Sequence, residues 1–178
     1  MNPRIFCLFI IILLSACSSN KLTRDKALSL IQKNYPDTLD WEIFCGDPTW
    51  VKKIEKTTLV KDGFIEINQN RKQILDPYLI IKDKSKPYFL PTPPEDVEHK
   101  IQRVKVYETI PDKVTGIKML TNNKKAIVKY TVEHKNVTPF IALTRIDLSK
   151  QDERTAYFSL YDDGWKIEDK PDIDFIGN

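Results

Sequence analysis

Apolar and polar positions alternate most clearly late in the chain. Ala126, Val128, Tyr130 and Val132 interleave with Lys129, Thr131 and Glu133, the period of a strand with one face buried. Ala156, Phe158 and Leu160 repeat the pattern, and Asp162-Asp163-Gly164 supplies turn residues before Trp165-Lys166-Ile167. Upstream, Val104, Val106 and Tyr107 predict one strand. Thr115, Ile117 and Met119 predict another, joined by a turn at Asn122-Asn123 to the strand at Ala126. Residues 140–146, after Pro139, read as one more strand, and the acidic stretch from Glu168 onward predicts a loose tail over 170–178.

The first half is more helical. Ala27, Leu28, Leu30, Ile31 and Tyr35 recur at helical spacing behind Thr23, a suitable N-cap, and Pro36 stops the pattern. After Cys45-Gly46-Asp47-Pro48, the residues Trp50, Val51, Ile54, Leu59 and Val60 keep a looser helical spacing up to Asp62-Gly63, and Phe64, Ile65 and Ile67 resume as a strand. The same Asp62-Gly63 also suits a hairpin turn. Tyr78-Leu79-Ile80-Ile81 and Tyr88-Phe89-Leu90 bracket a polar turn and predict two paired strands. Pro91, Pro93 and Pro94 mark an internal loop rather than a boundary, because charge is balanced on both sides of it. Helices early and hairpins late predict one α+β domain over 23–169, with N-terminal helices packed on an antiparallel meander sheet. This order, with its closing Leu-Tyr-Asp-Asp-Gly-Trp-Lys-Ile hairpin, resembles small bacterial lipoproteins with a cystatin-like or NTF2-like cone, a likeness that implies no particular chemistry.

The chain opens differently. Arg4 precedes an unbroken apolar run at residues 5–14, an n-region followed by an h-region. Ten residues as a helix rise about 15 Å, half of what a bilayer core needs, so a removable signal is expected rather than a permanent span. The run ends Leu14-Ser15-Ala16-Cys17-Ser18, which resembles the lipobox of bacterial lipoproteins. That resemblance implies cleavage of residues 1–16, acylation of Cys17, and a short tether over 17–22. Ser18, where an Asp would favour inner-membrane retention, implies the outer membrane, periplasmic face; in a Gram-positive host the same signal implies the outer surface of the single membrane.

Cysteine usage fits this address. Of Cys7, Cys17 and Cys45, the first goes with the signal and the second is acylated, which leaves Cys45 a lone thiol with no disulfide partner. Removing residues 1–16 from 178 leaves 162, long enough to bury about 70% of the unfolded surface without staples. The 28 basic and 25 acidic residues give a net charge of +3, without the basic face that a nucleic-acid binder needs.

Motifs for chemistry are sparse. His99, His134 and Cys45 form no paired metal motif, and Glu95-Asp96-x-Glu98, Asp162-Asp163 and Asp172-x-Asp174 lack the Ca-loop pattern. Ser159 has no Gly-x-Ser-x-Gly elbow, Cys45 could meet a histidine only through tertiary contact, and no Gly-rich loop points to a nucleotide cofactor. Even offsets place His134 on the face of Val128 and Val132. The candidate ligand-binding residues are Tyr107, Tyr130, Tyr157 and Tyr161, amphipathic rings that a curved sheet could present in a groove. Together these features predict a membrane-anchored, non-catalytic binding or accessory module of the cell envelope with no cofactor. An inhibitor or immunity lipoprotein against a toxin or wall-degrading enzyme, and a hydrolase with an unrecognised site, are the alternatives.

Overall fold

The computed structural model describes residues 21–120 and 123–176. The expected signal segment 1–16, the expected acylation site Cys17 and Asn122 lie outside the described residues. In chain order the elements are α1 (Arg24–Gln32), β1 (Asp37–Phe44), α2 (Thr49–Glu55), β2 (Ile65–Ile67), β3 (Leu79–Ile81), α3 (Pro94–Glu98), β4 (Ile101–Met119), β5 (Lys125–Lys135), β6 (Asp152–Tyr161), β7 (Gly164–Glu168) and α4 (Ile173–Ile176). The fold is α+β, with a curled antiparallel sheet ordered β1-β4-β5-β6-β7 and a separate ribbon of β2 and β3.

Strands β4 to β7 form a meander, and β1 adds to the free edge of β4 with Asp37 opposite Thr109 and Phe44 opposite Ile101. What the pattern separates into two strands is one strand of 19 residues, β4. Its pairing with β5 shifts register between Pro111 and Lys113 and again between Val114 and Gly116. Bulges are where a strand tolerates a proline, and each one increases the local bend. The bends let the two halves of β4 serve different clusters. Val104 and Val106 pack with Ile43, Ile54, Leu59, Phe64 and Phe140, whereas Val114 packs with Ala27, Ile31, Val128, Phe158 and Trp165.

Helix α1 forms where its spacing predicts it. Thr23 Oγ1 accepts from the Lys26 amide at 3.2 Å, Asp25 sits in the first turn, and Ala27 and Ile31 are buried on the sheet. Leu22 is buried in the same cluster, so the packed domain includes the residue before the cap. Trp165 lies 3% exposed beside Ala126, Val128 and Phe158, the common core that its alternation predicts.

Three expectations need correction. Residues 140–146 are not a strand: a 3₁₀ turn at Pro139–Leu143 begins at Thr138, whose Oγ1 accepts from the Phe140 amide and donates to the Lys105 carbonyl at 2.7 Å. Pro139 suits the first helical position, and the turn drives Phe140 edge-on against Phe64 and Tyr88. Tyr88-Phe89-Leu90 is not a partner for β3, which pairs with β2; residues 83–88 coil into a 3₁₀ segment, and Phe89 makes only an isolated bridge to Val104. The tail is not loose throughout. Phe175 is buried edge-on against Tyr157, and Lys125 binds both Asp172 and Asp174, which ties α4 to the outer face of the sheet.

Candidate functional site

Cross-strand partners share a face, so register decides which side chains meet. Tyr130 stands opposite Arg154, Val132 opposite Asp152, and Thr109 opposite both His134 and Asp37. These residues occupy the covered face of the sheet, where polar groups interrupt its apolar lining. Tyr35, three residues beyond the end of α1, reaches the same place.

The resulting network is continuous. Arg154 Nη1 donates to Tyr35 Oη at 3.2 Å and to Asp37 Oδ2 at 3.2 Å, and its Nε donates to Asp152 Oδ2 at 3.3 Å. The Tyr35 and Tyr130 hydroxyls lie 3.0 Å apart, one donating to the other. His134 Nε2 lies 3.9 Å from Asp152, and its ring meets Tyr107 edge-on at 4.7 Å between centroids. Burial, together with the bond to Tyr35, pushes the Tyr130 phenol well above its ordinary pKa, and burial also raises that of Tyr107. Both phenols are therefore neutral at ordinary pH. They offer hydrogen bonds and contact area but no phenolate base.

A cleft of about 330 Å³ opens beside this network. Ile31, Ala156 and Ile167 form its apolar floor, Tyr35 and Tyr130 its walls, and Asp37 and Asp169 stand at its rim, with Tyr157 and Glu168 bordering it at the strand edge. The cleft exists because β7 stops at Glu168, opposite Tyr157, while β6 continues back to Asp152. Arg154 lies behind the rim with its charge shared between two carboxylates, so the mouth is acidic. Apolar stem contacts below and carboxylates above suit an amphipathic cation, such as a lysine or arginine side chain.

The four tyrosines singled out by sequence do not line one groove. Tyr107 is buried under the first core cluster, and Tyr130 is buried with its hydroxyl committed to Tyr35. Tyr157 pairs with Ile127 on the opposite face, where its ring packs against Phe175, and it only borders the cleft at the sheet edge. Tyr161, half exposed, donates to Glu168 Oε1 at 2.9 Å from outside it. Tyr35, Asp37 and Arg154 were not singled out: they come from three elements, and no local pattern marks residues that only register and a helix end bring together. A second, shallower depression of about 440 Å³ runs along His134, Lys135 and residues 148–151.

Other sequence candidates stay apart. Cys45 is buried, its Sγ near the Ile43 carbonyl at 3.8 Å, and burial lifts its pKa to about 11. Among the described residues no three His, Cys or carboxylate groups gather as metal ligands, and no helix is long and apolar enough to cross a membrane. No family model matches the chain, and neither the curated proteins nor the solved structures hold a significant match to it.

Proposed function

We propose that this chain is a membrane-anchored lipoprotein of the bacterial envelope, held by acyl chains on Cys17 at the periplasmic face of the outer membrane, and that its domain is a binding module without catalytic turnover. The observation that carries the binding half is the cleft beside β6. Its floor, walls and acidic rim are positioned by sheet register, the end of α1 and the Arg154 network, so the site is largely pre-formed. The partner is an envelope protein that presents a basic side chain to this rim. The lipobox-like Leu14-Ser15-Ala16-Cys17 supports the address. A helix lying across a curled meander supports the finer reading of a cystatin-like or NTF2-like cone.

The test is capture from detergent-solubilised envelope by the full chain, compared with Asp169→Lys and Asn34→Trp, two exposed positions on the cleft. Loss of the captured protein with an unchanged melting temperature is the expected result. Robust turnover of a wall fragment, ester or peptide, abolished by one Ser, Cys or His substitution, overturns the reading.

A further inference from the structure

The segment between β2 and β3 exposes two adjacent large aliphatic side chains while being tightly built. Ile74 is 94% exposed and Leu75 76%, side by side at the loop tip. Such exposure in a floppy loop would mean little, but this loop is internally braced. Asp76 Oδ2 accepts from the amides of Lys72 at 2.8 Å and Gln73 at 2.9 Å. Arg71 donates through Nε to the Asp76 carbonyl and through Nη2 to the Ile74 carbonyl, both at 2.8 Å, with its guanidinium 3.5 Å from the centre of the Tyr78 ring. At the base, Asn68 Nδ2 donates to the Pro77 carbonyl at 3.0 Å, and the Asn68 amide donates to the Tyr78 carbonyl. The bonding turns the Asn68, Arg71 and Asp76 side chains inward onto the loop backbone and leaves two aliphatic side chains exposed at the tip. Water solvates such a tip poorly.

The charges around the tip are mostly positive: Arg71 and Lys72 flank it, Lys100 lies near Asp76, and the Asp76 carboxylate is committed to the Lys72 and Gln73 amides. An aliphatic tip in a basic collar matches an anionic lipid surface, with the tip below the headgroups and the cations among them.

The place of the loop fits a molecule that lies along a bilayer. Tyr78 bonds back to Cys45, which bonds to Lys100, so the loop sits at the Ile101 end of β4. Leu22, where the tether of a lipidated chain would enter the domain, packs with Val114 near the other end. The strand between these points spans roughly 40 Å at about 3.3 Å per residue, less what its bulges remove. A lipid anchor at one end and a lipid-inserting tip at the other would hold the strand parallel to the membrane.

We propose that the Ile74-Leu75 tip inserts into an anionic lipid bilayer and is the second attachment point of the domain. The proposal rests on the lipoprotein reading only for bringing the domain close to lipid. The experiment uses protein purified from detergent-solubilised membranes, whose intact mass first reports whether Cys17 carries acyl chains. Leu75→Cys is then labelled with an environment-sensitive fluorophore, Cys45 being buried, and the protein is mixed with vesicles of phosphatidylethanolamine and phosphatidylglycerol. Expected is a blue shift with roughly severalfold brighter emission, quenched by spin-labelled lipid, lost with Ile74→Asp and weakened on phosphatidylcholine vesicles. The same label at Lys150→Cys, an exposed site, should report water throughout. A Leu75 label as wet and as unquenched as the Lys150 label, on protein shown to float with the vesicles, overturns the proposal and leaves the acylation result standing. Dry emission that appears with Leu75→Cys but not with the parent chain treated with the same label, on protein without acyl mass, would support the insertion and refute the lipoprotein reading instead.

Discussion

Arg154 and the two tyrosine hydroxyls show how single groups are constrained by burial. Tyr130 lies 7% exposed with its hydroxyl spent on Tyr35, and ionising it would place a charge where water cannot reach. The unfolded chain sheds this proton near pH 10 and the native chain well above it. The unfolded state then binds fewer protons than the native one, so the free energy of unfolding falls as pH rises past about 10, having been at its full value below that. Tyr130→Phe is expected to cost about 1 kcal/mol at neutral pH by losing one buried hydrogen bond, and to flatten the alkaline decline. Denaturant titrations at neutral and alkaline pH measure both, and an unchanged alkaline slope would contradict the assignment. Cys45 follows the same logic. Its buried thiol, pushed up to about 11, should react on the order of a hundredfold more slowly with a thiol reagent in native buffer than in denaturant. Comparable rates in both would place it at the surface.

At the scale of elements, what could be read from the chain depended on whether the signal was local. The alternation of β5 and β6, the Thr23 cap and the Gly164 turn, whose φ is +119°, all follow from neighbouring residues, and each is found where the sequence places it. Strand β1 is missing from the expected elements although Leu39, Trp41 and Ile43 alternate with Asp40 and Glu42. Residues 140–146 could not be settled locally, because a short apolar run suits a buried strand and a buried helical turn alike until Thr138 is seen bonded to Lys105. The candidate site was still less legible: Tyr130 and Tyr157 were named, whereas Tyr35, Asp37 and Arg154 join them only through pairing between distant strands. Two measurements test the elements themselves. Trp165→Ala removes an indole buried in the cluster shared with α1, β5 and β6 and should cost about 3 to 5 kcal/mol, and a loss below about 1 kcal/mol would contradict its burial. Thr23→Ala should cost about 1 kcal/mol by leaving the Lys26 amide without its cap, whereas Thr23→Ser should cost little.

For the whole molecule, the decisive quantity is the distance between the packed domain and the membrane that the lipobox-like segment implies. Leu22 is 3% exposed within the cluster around α1, so the chain is already anchored to the core one residue before the cap. From Cys17 to that point only about five residues intervene, and even fully extended they reach no more than about 18 Å. A domain so tethered would meet partners that are themselves membrane-bound or pass close to the bilayer, and the roles proposed for the cleft and the Ile74-Leu75 tip depend on that confinement. The prediction is accordingly specific: in bacterial cells the mature protein begins at Cys17, and its intact mass exceeds that of residues 17–178 by the mass of its acyl chains. The apolar run at 5–14 is too short to hold the domain at the membrane by itself, whereas two or three acyl chains suffice at about 0.8 kcal/mol per buried methylene. Cys17→Ser should therefore accumulate as an unprocessed precursor or leave the membrane fraction. Its cleft and core should be unaffected, because among the described residues both are built from Leu22 onward. A mature protein that retains the membrane fraction with an unmodified Cys17 would refute the anchor and, with it, the confinement on which the envelope partner is argued.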